Sequence, residues 1–333
     1  MKKALCIGLN YSRSSNKLPS CITDAEKIKA LLLRNQDNSK NFDVKLLTDN
    51  EIDITTEVLK RNIDNLFKEN SEDMDLILLY FSGHGYLNEH GGYLITNNSS
   101  QYSEGVEMEW ILNCLTHSKA RNKVVILDSC YSGHFGNSTI RNSNTHLPNG
   151  VTILTSSRPC EVSYANGGGS VFTELLSFAL EGEAKNIFGE ITASSIYSYI
   201  DVSLGSFDQR PIFKTNISKS VVLRKTTPKV DIEILREVLQ YFPSINYKYK
   251  LDQQYEVETK KKRILEAYPH LDPDLKPDTE KVAKFKKIQI LSKEGLIKPS
   301  KEEHMFFAAI NSDTCELTPI GKHYWRLVKK ERI

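Results

Sequence analysis

Apolar residues along this chain recur in two periods, and the two alternate. Residues 3–11 (KALCIGLNY), 43–49 (DVKLLTD), 75–82 (DLILLYFS), 123–129 (KVVILDS) and 150–157 (GVTILTSS) are short and nearly continuous in apolar character. That pattern predicts strands, the longer runs covered on both faces. Between them the period changes to that of a helix. Residues 23–35 place apolar side chains at 25, 28, 31 and 32, and Thr23 with Glu26 has the spacing of a capping box. Residues 55–70 put Leu59, Ile63, Leu66 and Phe67 on one face. Further helices are predicted at 107–117, at 170–182 with a stop at Gly182, and at 192–201. Strands alternating with helices predict an α/β fold, a mostly parallel sheet flanked by helices.

The texture changes near Pro228. Residues 1–227 carry 23 basic and 25 acidic side chains, whereas residues 228–333 carry 21 and 17, a net +4. Residues 231–242 open the second region, and residues 279–297 read as a helix ending at Gly295. Residues 304–318 read as two short strands around a turn at 311–313. Thr318 as N-cap and Pro319 in the first helical position then start a last helix. Helix, two-stranded wing and helix is a winged-helix-like order. The expected organisation is therefore one domain over 1–227 and a small α+β domain over 228–333.

Composition narrows the class. The chain has 333 residues, 39% hydrophobic and 26% charged, which suits a globular protein with a real core. A formal net charge of +2 gives no overall field for nucleic acid or membrane. No run of about 18 apolar residues predicts a membrane span. The first apolar stretch is broken by Gly8 and Asn10, so it reads as a strand and not as a signal peptide. The six cysteines form no CxxC pair, so neither a zinc site nor a disulfide scaffold is expected, and a cytoplasmic location is.

Two strand ends carry the candidate chemistry. "YFSGHG" presents His84 between Gly83 and Gly85, and "ILDSCYSG" presents Cys130. In an open parallel sheet, reactive groups gather at the C-terminal strand ends. A thiol attacks as thiolate, and a histidine within reach can take its proton, so the pair suits nucleophilic catalysis. The backbone N–H groups of Gly85 and Cys130 are candidate donors to a developing oxyanion. Either residue alone is more often structural. It is the pairing in matching strand-end contexts that points to a Cys–His dyad.

These two motifs resemble those of the caspase-type cysteine peptidases, the metacaspases and their prokaryotic members in particular. The likeness continues through residues 150–164, 169–182 and 209–213 and covers roughly residues 1–225. The resemblance implies a caspase-like fold and a thiol endopeptidase with Cys130 as nucleophile and His84 as base. Animal caspases carry Gln-Ala-Cys at the nucleophile, whereas this chain has Asp-Ser-Cys. By the same resemblance "CITDA" contributes Asp24, and Asp24 with Asp128 forms a pocket for Arg or Lys before the scissile bond. Two carboxylates match a guanidinium fork. Many metacaspases need calcium. The stretch here offers Glu89, Glu104, Glu107 and Glu109 without an aspartate, so no cofactor and no calcium dependence are expected. The polar connection after the nucleophile, residues 134–150, is a candidate for self-cleavage after Arg141.

The expected partners are a protein substrate and a regulatory protein docking on residues 228–333, in a bacterial signalling or defence circuit. Nucleic acid is not expected. The alternative is a winged-helix binding module on an inert caspase-like scaffold, with the basic stretches at 281–289 and 325–332 touching phosphates. Both His84 and Cys130 are present, and an inert scaffold has no need of them.

Overall fold

The computed structural model describes residues 1–12, 14–68, 74–100, 104–129, 147–156, 170–204, 211–257 and 261–333. The chain divides into two compact units, Met1–Thr227 and Pro228–Ile333.

In the first unit the order is β1 (Lys2–Gly8), α1 (Cys21–Leu33), β2 (Asp43–Thr48), α2 (Thr56–Lys68), β3 (Leu76–Ser82), β4 (Gly85–Asn88), β5 (Gly91–Leu94), β6 (Val106–Glu107), α3 (Met108–His117), β7 (Asn122–Asp128), β8 (Val151–Thr155), α4 (Val171–Phe178), β9 (Glu190–Thr192), α5 (Ala193–Ser203), β10 (Ile212–Asn216) and β11 (Val222–Lys225). Among the described residues six strands form the central sheet, in the order β10-β8-β7-β3-β1-β2. Every pairing is parallel except that of β10 with β8. This is the expected mostly parallel sheet. Small antiparallel sheets, β4-β5-β6 and β9-β11, sit beside it.

The strand alternation sorts the core into two layers. Leu5, Ile7, Leu79, Phe81, Val125, Leu127 and Ile153 pack with residues of α2 and α3. Ala4, Cys6, Leu78, Tyr80, Val124, Ile126 and Leu154 pack with α1, α4 and α5. Successive residues of one strand thus serve opposite faces, so the apolar runs needed no polar alternation.

Helix α1 departs from the expectation at its start. The Thr23–Glu26 capping box does not form, because the helix already begins at Cys21. The Ile22 N–H donates to Asn10 Oδ1 at 3.0 Å, so a preceding loop satisfies the first turn. Gly8 explains how close that turn lies to β1. A Cβ there would stand 2.2 Å from the Cys21 carbonyl oxygen.

The second unit contains α6 (Ile232–Arg236), α7 (Val238–Tyr241), β12 (Tyr249–Lys250), α8 (Lys262–Ala267), α9 (Thr279–Lys293), β13 (Ile297–Pro299), α10 (Met305–Ile310), β14 (Thr314–Leu317) and α11 (Pro319–Lys329). Helix α9 buries Phe285, Ile288 and Leu291, and Gly295 takes a left-handed φ of 71° just beyond it. Thr318 caps α11 by accepting from the Gly321 N–H at 3.0 Å, with Pro319 in the first turn. Trp325 of α11 donates its indole N–H to the Phe242 carbonyl at 2.7 Å. The segment expected to be two strands differs. Its first half is α10, which buries Met305, Ala308 and Ala309 at helical spacing. Only its second half is a strand, and β14 pairs with β13 and β12 in an antiparallel sheet ordered β12-β14-β13. No helix among the described residues is long and apolar enough to cross a membrane.

The contact at Gly8 is testable. Gly8→Ala is expected to destabilise the protein by about 1–3 kcal/mol, the usual cost of forcing a methyl into a packed interior. Chemical denaturation of the two proteins measures it, and an unchanged midpoint would show that α1 can move aside.

Candidate active site

The parallel register brings three strand ends level. Gly8 of β1 pairs with Ser82 of β3, and Ser82 pairs with Asp128 of β7. Beyond them, the Leu9 N–H donates to the Ser82 carbonyl at 3.1 Å, and the Gly83 N–H donates to the Asp128 carbonyl at 3.3 Å. The loops that leave these ends build two clusters.

The first cluster is acidic. Asp24, in the first turn of α1, is buried at 6% exposure, and Asp128 is half-buried at the end of β7. Both meet the residue before α4. The Ser170 N–H points at Asp24 Oδ2 at 3.5 Å, and the Ser170 hydroxyl bonds Asp128. Asp24 also accepts from the Ser20 hydroxyl at 3.2 Å. Asp128 accepts from Thr173 Oγ1 at 2.6 Å and from the Ser156 hydroxyl. Thr173 Oγ1 lies 2.6 Å from the Tyr80 hydroxyl. Burial, and then the charge of Asp128, push the Asp24 carboxyl up to about 6. Burial raises Asp128 as well, against the three hydroxyls that favour its charged form. The Cys21 thiol, bonded by Ser82, lies against both carboxylates, and burial pushes it up to about 12. It is inert as a nucleophile at neutral pH.

The second cluster holds the His84 ring. His84 Nε2 lies 2.7 Å from the Asn16 carbonyl oxygen. A carbonyl can only accept, so Nε2 carries a hydrogen, and in the neutral ring Nδ1 is the basic nitrogen. The Tyr11 ring lies against the imidazole with centroids 4.7 Å apart. The Tyr11 hydroxyl accepts from the His84 N–H and donates to the Ile95 carbonyl, each at 2.9 Å. The Ile95 N–H in turn donates to the His84 carbonyl at 3.0 Å. Tyr11 oxygen therefore stands where one rung of the β4–β5 ladder would otherwise close. Gly83 makes room for it, since a Cβ there would lie 2.8 Å from that oxygen. Tyr11 adopts a left-handed φ of 52°, costly for a bulky residue. The Asp49 carboxylate holds it there by accepting the N–H groups of Asn10 and Tyr11 at 2.9 and 2.8 Å. Gly85 pairs with Leu94 outside the bonded rungs, so its N–H turns away from β5.

The structure thus brings Asp24 and Asp128 together and sets His84 and Gly85 on the neighbouring strand end. Cys130 and Arg141 lie outside the described residues. Three glutamates of the 89–109 stretch serve separate partners. Glu104 accepts from Asn88 at 2.6 Å, Glu107 pairs with Lys60 at 2.6 Å, and Glu89 stands 3.6 Å from His90. Sequence reasoning missed Tyr11, Asn16, Ser170 and Thr173. Asn16 acts through its carbonyl, which no side-chain pattern signals. Thr173 carried a faint signal, as a polar residue inside an otherwise apolar helical face.

A family model described as "Caspase domain" matches residues 1–222. Metacaspase-1 of Scheffersomyces stipitis is 33% identical over 87 residues, 25% of this chain and 21% of that protein. Metacaspase-1 of Candida albicans is 26% identical over 149 residues, 40% of this chain and 33% of that protein. The chain thus spans about a fifth to a third of the length of these relatives. Among solved structures, caspase-1 of Spodoptera frugiperda aligns at 15% identity with a TM-score of 0.46, covering 68% of this chain and 90% of that one. A protein from Geobacter sulfurreducens aligns at 19% identity with a TM-score of 0.47, covering 68% and 97%.

The raised Asp24 carboxyl makes stability depend on pH. A folded value near 6 against an ordinary 3.8 means that the native state holds the proton longer. Its contribution is full below about pH 4 and is lost as pH rises through about 6. Asp24→Asn, neutral throughout, is expected to be more stable than wild type above pH 7, by up to about 3 kcal/mol. The gap should close on acidification to pH 4. Thermal melts across pH 4–8 measure it, and a constant gap would mean that Asp24 is ionised normally.

Proposed function

The chain belongs to the caspase family of cysteine peptidases, and from that we propose that it is an endopeptidase cleaving after Arg or Lys with a Cys130–His84 dyad. The observation that carries this reading is the acidic pair Asp24–Asp128 set one strand end away from the His84 imidazole, whose Nε2 is held by the Asn16 carbonyl. His84 lies two residues beyond Ser82, and Cys130 two residues beyond its register partner Asp128. The spacing beyond both strands is what a dyad at neighbouring strand ends requires.

In this reading Nδ1 of His84 takes the Cys130 proton, and the thiolate attacks the scissile carbonyl carbon. The N–H groups of Gly85 and Cys130 stabilise the tetrahedral oxyanion. Collapse breaks the C–N bond, and the imidazolium returns its proton to the leaving amine. Water, deprotonated by the same nitrogen, then hydrolyses the thioester and restores the thiol. Asn16 and Tyr11 keep the ring aimed through the cycle. The substrate's cationic side chain enters between Asp24 and Asp128 and pairs with both carboxylates.

The same chemistry needs no metal, and we read the enzyme as calcium-independent, because Glu89, Glu104 and Glu107 engage separate partners. Residues 228–333, a compact unit beyond the span of the family model, are the surface we assign to a regulatory protein, as a bacterial signalling or defence circuit would require. Arg141 remains our candidate for self-cleavage. Its support is the polar sequence around it.

Peptides differing only in the residue before the cut test the proposal. Arg and Lys peptides are expected to exceed the Gln peptide by at least about a hundredfold in kcat/KM, with the Asp peptide uncleaved. Cys130→Ala and His84→Ala should each fall to background, because nucleophile and base act as a unit. Cleavage surviving in clean Cys130→Ala would end the peptidase reading, and a preference for Asp would end the pocket assignment. Tyr11→Phe loses both hydrogen bonds of the hydroxyl and is expected to lower kcat by about tenfold or more with KM little changed. An unchanged kcat would show that Tyr11 does not position His84. Intact mass of the active enzyme decides whether the chain is cut after Arg141.

A further inference from the structure

The acidic pair is held from one side by α4, and the hold has a direction. Thr173 is fully buried, and its Oγ1 touches two oxygens, Asp128 Oδ2 and the Tyr80 hydroxyl, each at 2.6 Å. A threonine hydroxyl has one hydrogen, and an ionised carboxylate can only accept. With Asp128 ionised, Thr173 donates to it, which leaves Tyr80 to donate to Thr173. The three groups form a one-way chain from a fully buried phenol to the carboxylate. Each donation strengthens the next, because a hydroxyl that accepts a bond becomes a better donor. The Thr173 backbone is fixed in turn, since its carbonyl accepts the Ser177 hydroxyl at 2.7 Å.

We propose that Thr173 is a specificity-determining positioning residue, its hydroxyl, driven by Tyr80, fixing the Asp128 carboxylate to receive a cationic substrate side chain. This rests on the basic-pocket reading above. The ordinary role of a buried threonine is to satisfy its own hydroxyl through its helix's backbone. Thr173 instead spends its hydrogen on the one carboxylate at the end of β7. The titratable groups facing Asp128 are Asp24 and Cys21 from α1 and Tyr80 from β3, with Lys27 acting on Asp24 and Asp49 on Cys21. None of these except Tyr80 is linked to Asp128 through Thr173. The consequence of losing the hydroxyl therefore falls on cation binding and leaves the attack on the carbonyl alone.

Thr173→Val keeps the shape and removes the donor. Arg and Gln peptides are compared on wild type, Thr173→Val and Thr173→Ser over pH 5–8. The expected result for Thr173→Val is an Arg-to-Gln selectivity lower by about tenfold, through KM of the Arg peptide and not its kcat. The acid limb of its Arg-peptide profile should move upward, and Thr173→Ser should restore both. A merely structural defect would slow both peptides alike and leave the ratio and the profile where they were, and that result overturns the proposal while leaving the basic pocket intact. Wild type without Arg preference would overturn the pocket reading and this proposal with it. Should Thr173→Val fail to fold, Tyr80→Phe decides. It leaves the Thr173 donor and removes its support, with an expected fall in the ratio of about threefold. A wild-type ratio there overturns the directional chain.

Discussion

Two carboxylates facing one another inside a protein repel, and the layout of the first unit is largely what makes Asp24 and Asp128 tolerable together. Asp128 ends a central strand, where the register leaves it no freedom of position. Asp24 arrives from α1, whose first turn approaches β1 closely because Gly8 has no side chain. The compensation comes from four hydroxyls and one backbone amide: Ser20, Ser156, Ser170 and Thr173 supply donors. Donors of this kind reduce the penalty of burying two like charges without discharging either group.

The central sheet was legible because its strands are covered on both sides. Continuous apolar runs at 75–82 and 123–129 are too short for buried helices, and with helix-period segments between them they fit only the inner strands of a covered sheet. The short strands were not legible. Residues 85–88, 91–94 and 106–107 are only two to four residues long, so their own pattern is too short to signal a strand, and their pairing follows from the loops they border. The start of α1 was misread for a related reason. Thr23 and Glu26 have the spacing of a cap, but Asn10, far back in the chain, had already satisfied the first turn. In the second unit, residues 304–310 read as a strand because two phenylalanines favour one. Tertiary burial of Met305, Ala308 and Ala309 selected the helix instead.

The candidate site divides along the same line. The candidate residues could be named from motif and spacing, and the structure sets Asp128, His84 and Gly85 at neighbouring strand ends with Asp24 beside Asp128 from the first turn of α1. Residues that aim those side chains could not be named. Asn16 contributes a carbonyl, Tyr11 a hydroxyl from an unusual backbone conformation, and Ser170 both an amide and a hydroxyl. Each acts across a long sequence separation. Sequence patterns report periodicity and local capping, and neither records which loop will lie against which strand end.

The Tyr11 hydroxyl has a further consequence. It carries one rung of the β4–β5 ladder on a side chain, between the His84 amide and the Ile95 carbonyl. The His84 amide hydrogen is thus shielded only while the loop after β1 is seated, whereas the Ile95 amide is shielded by the ladder itself. In hydrogen–deuterium exchange these two neighbouring amides become separate clocks. The difference between their rates reads the opening of the loop at residues 9–20 directly, in the resting protein and without any substrate.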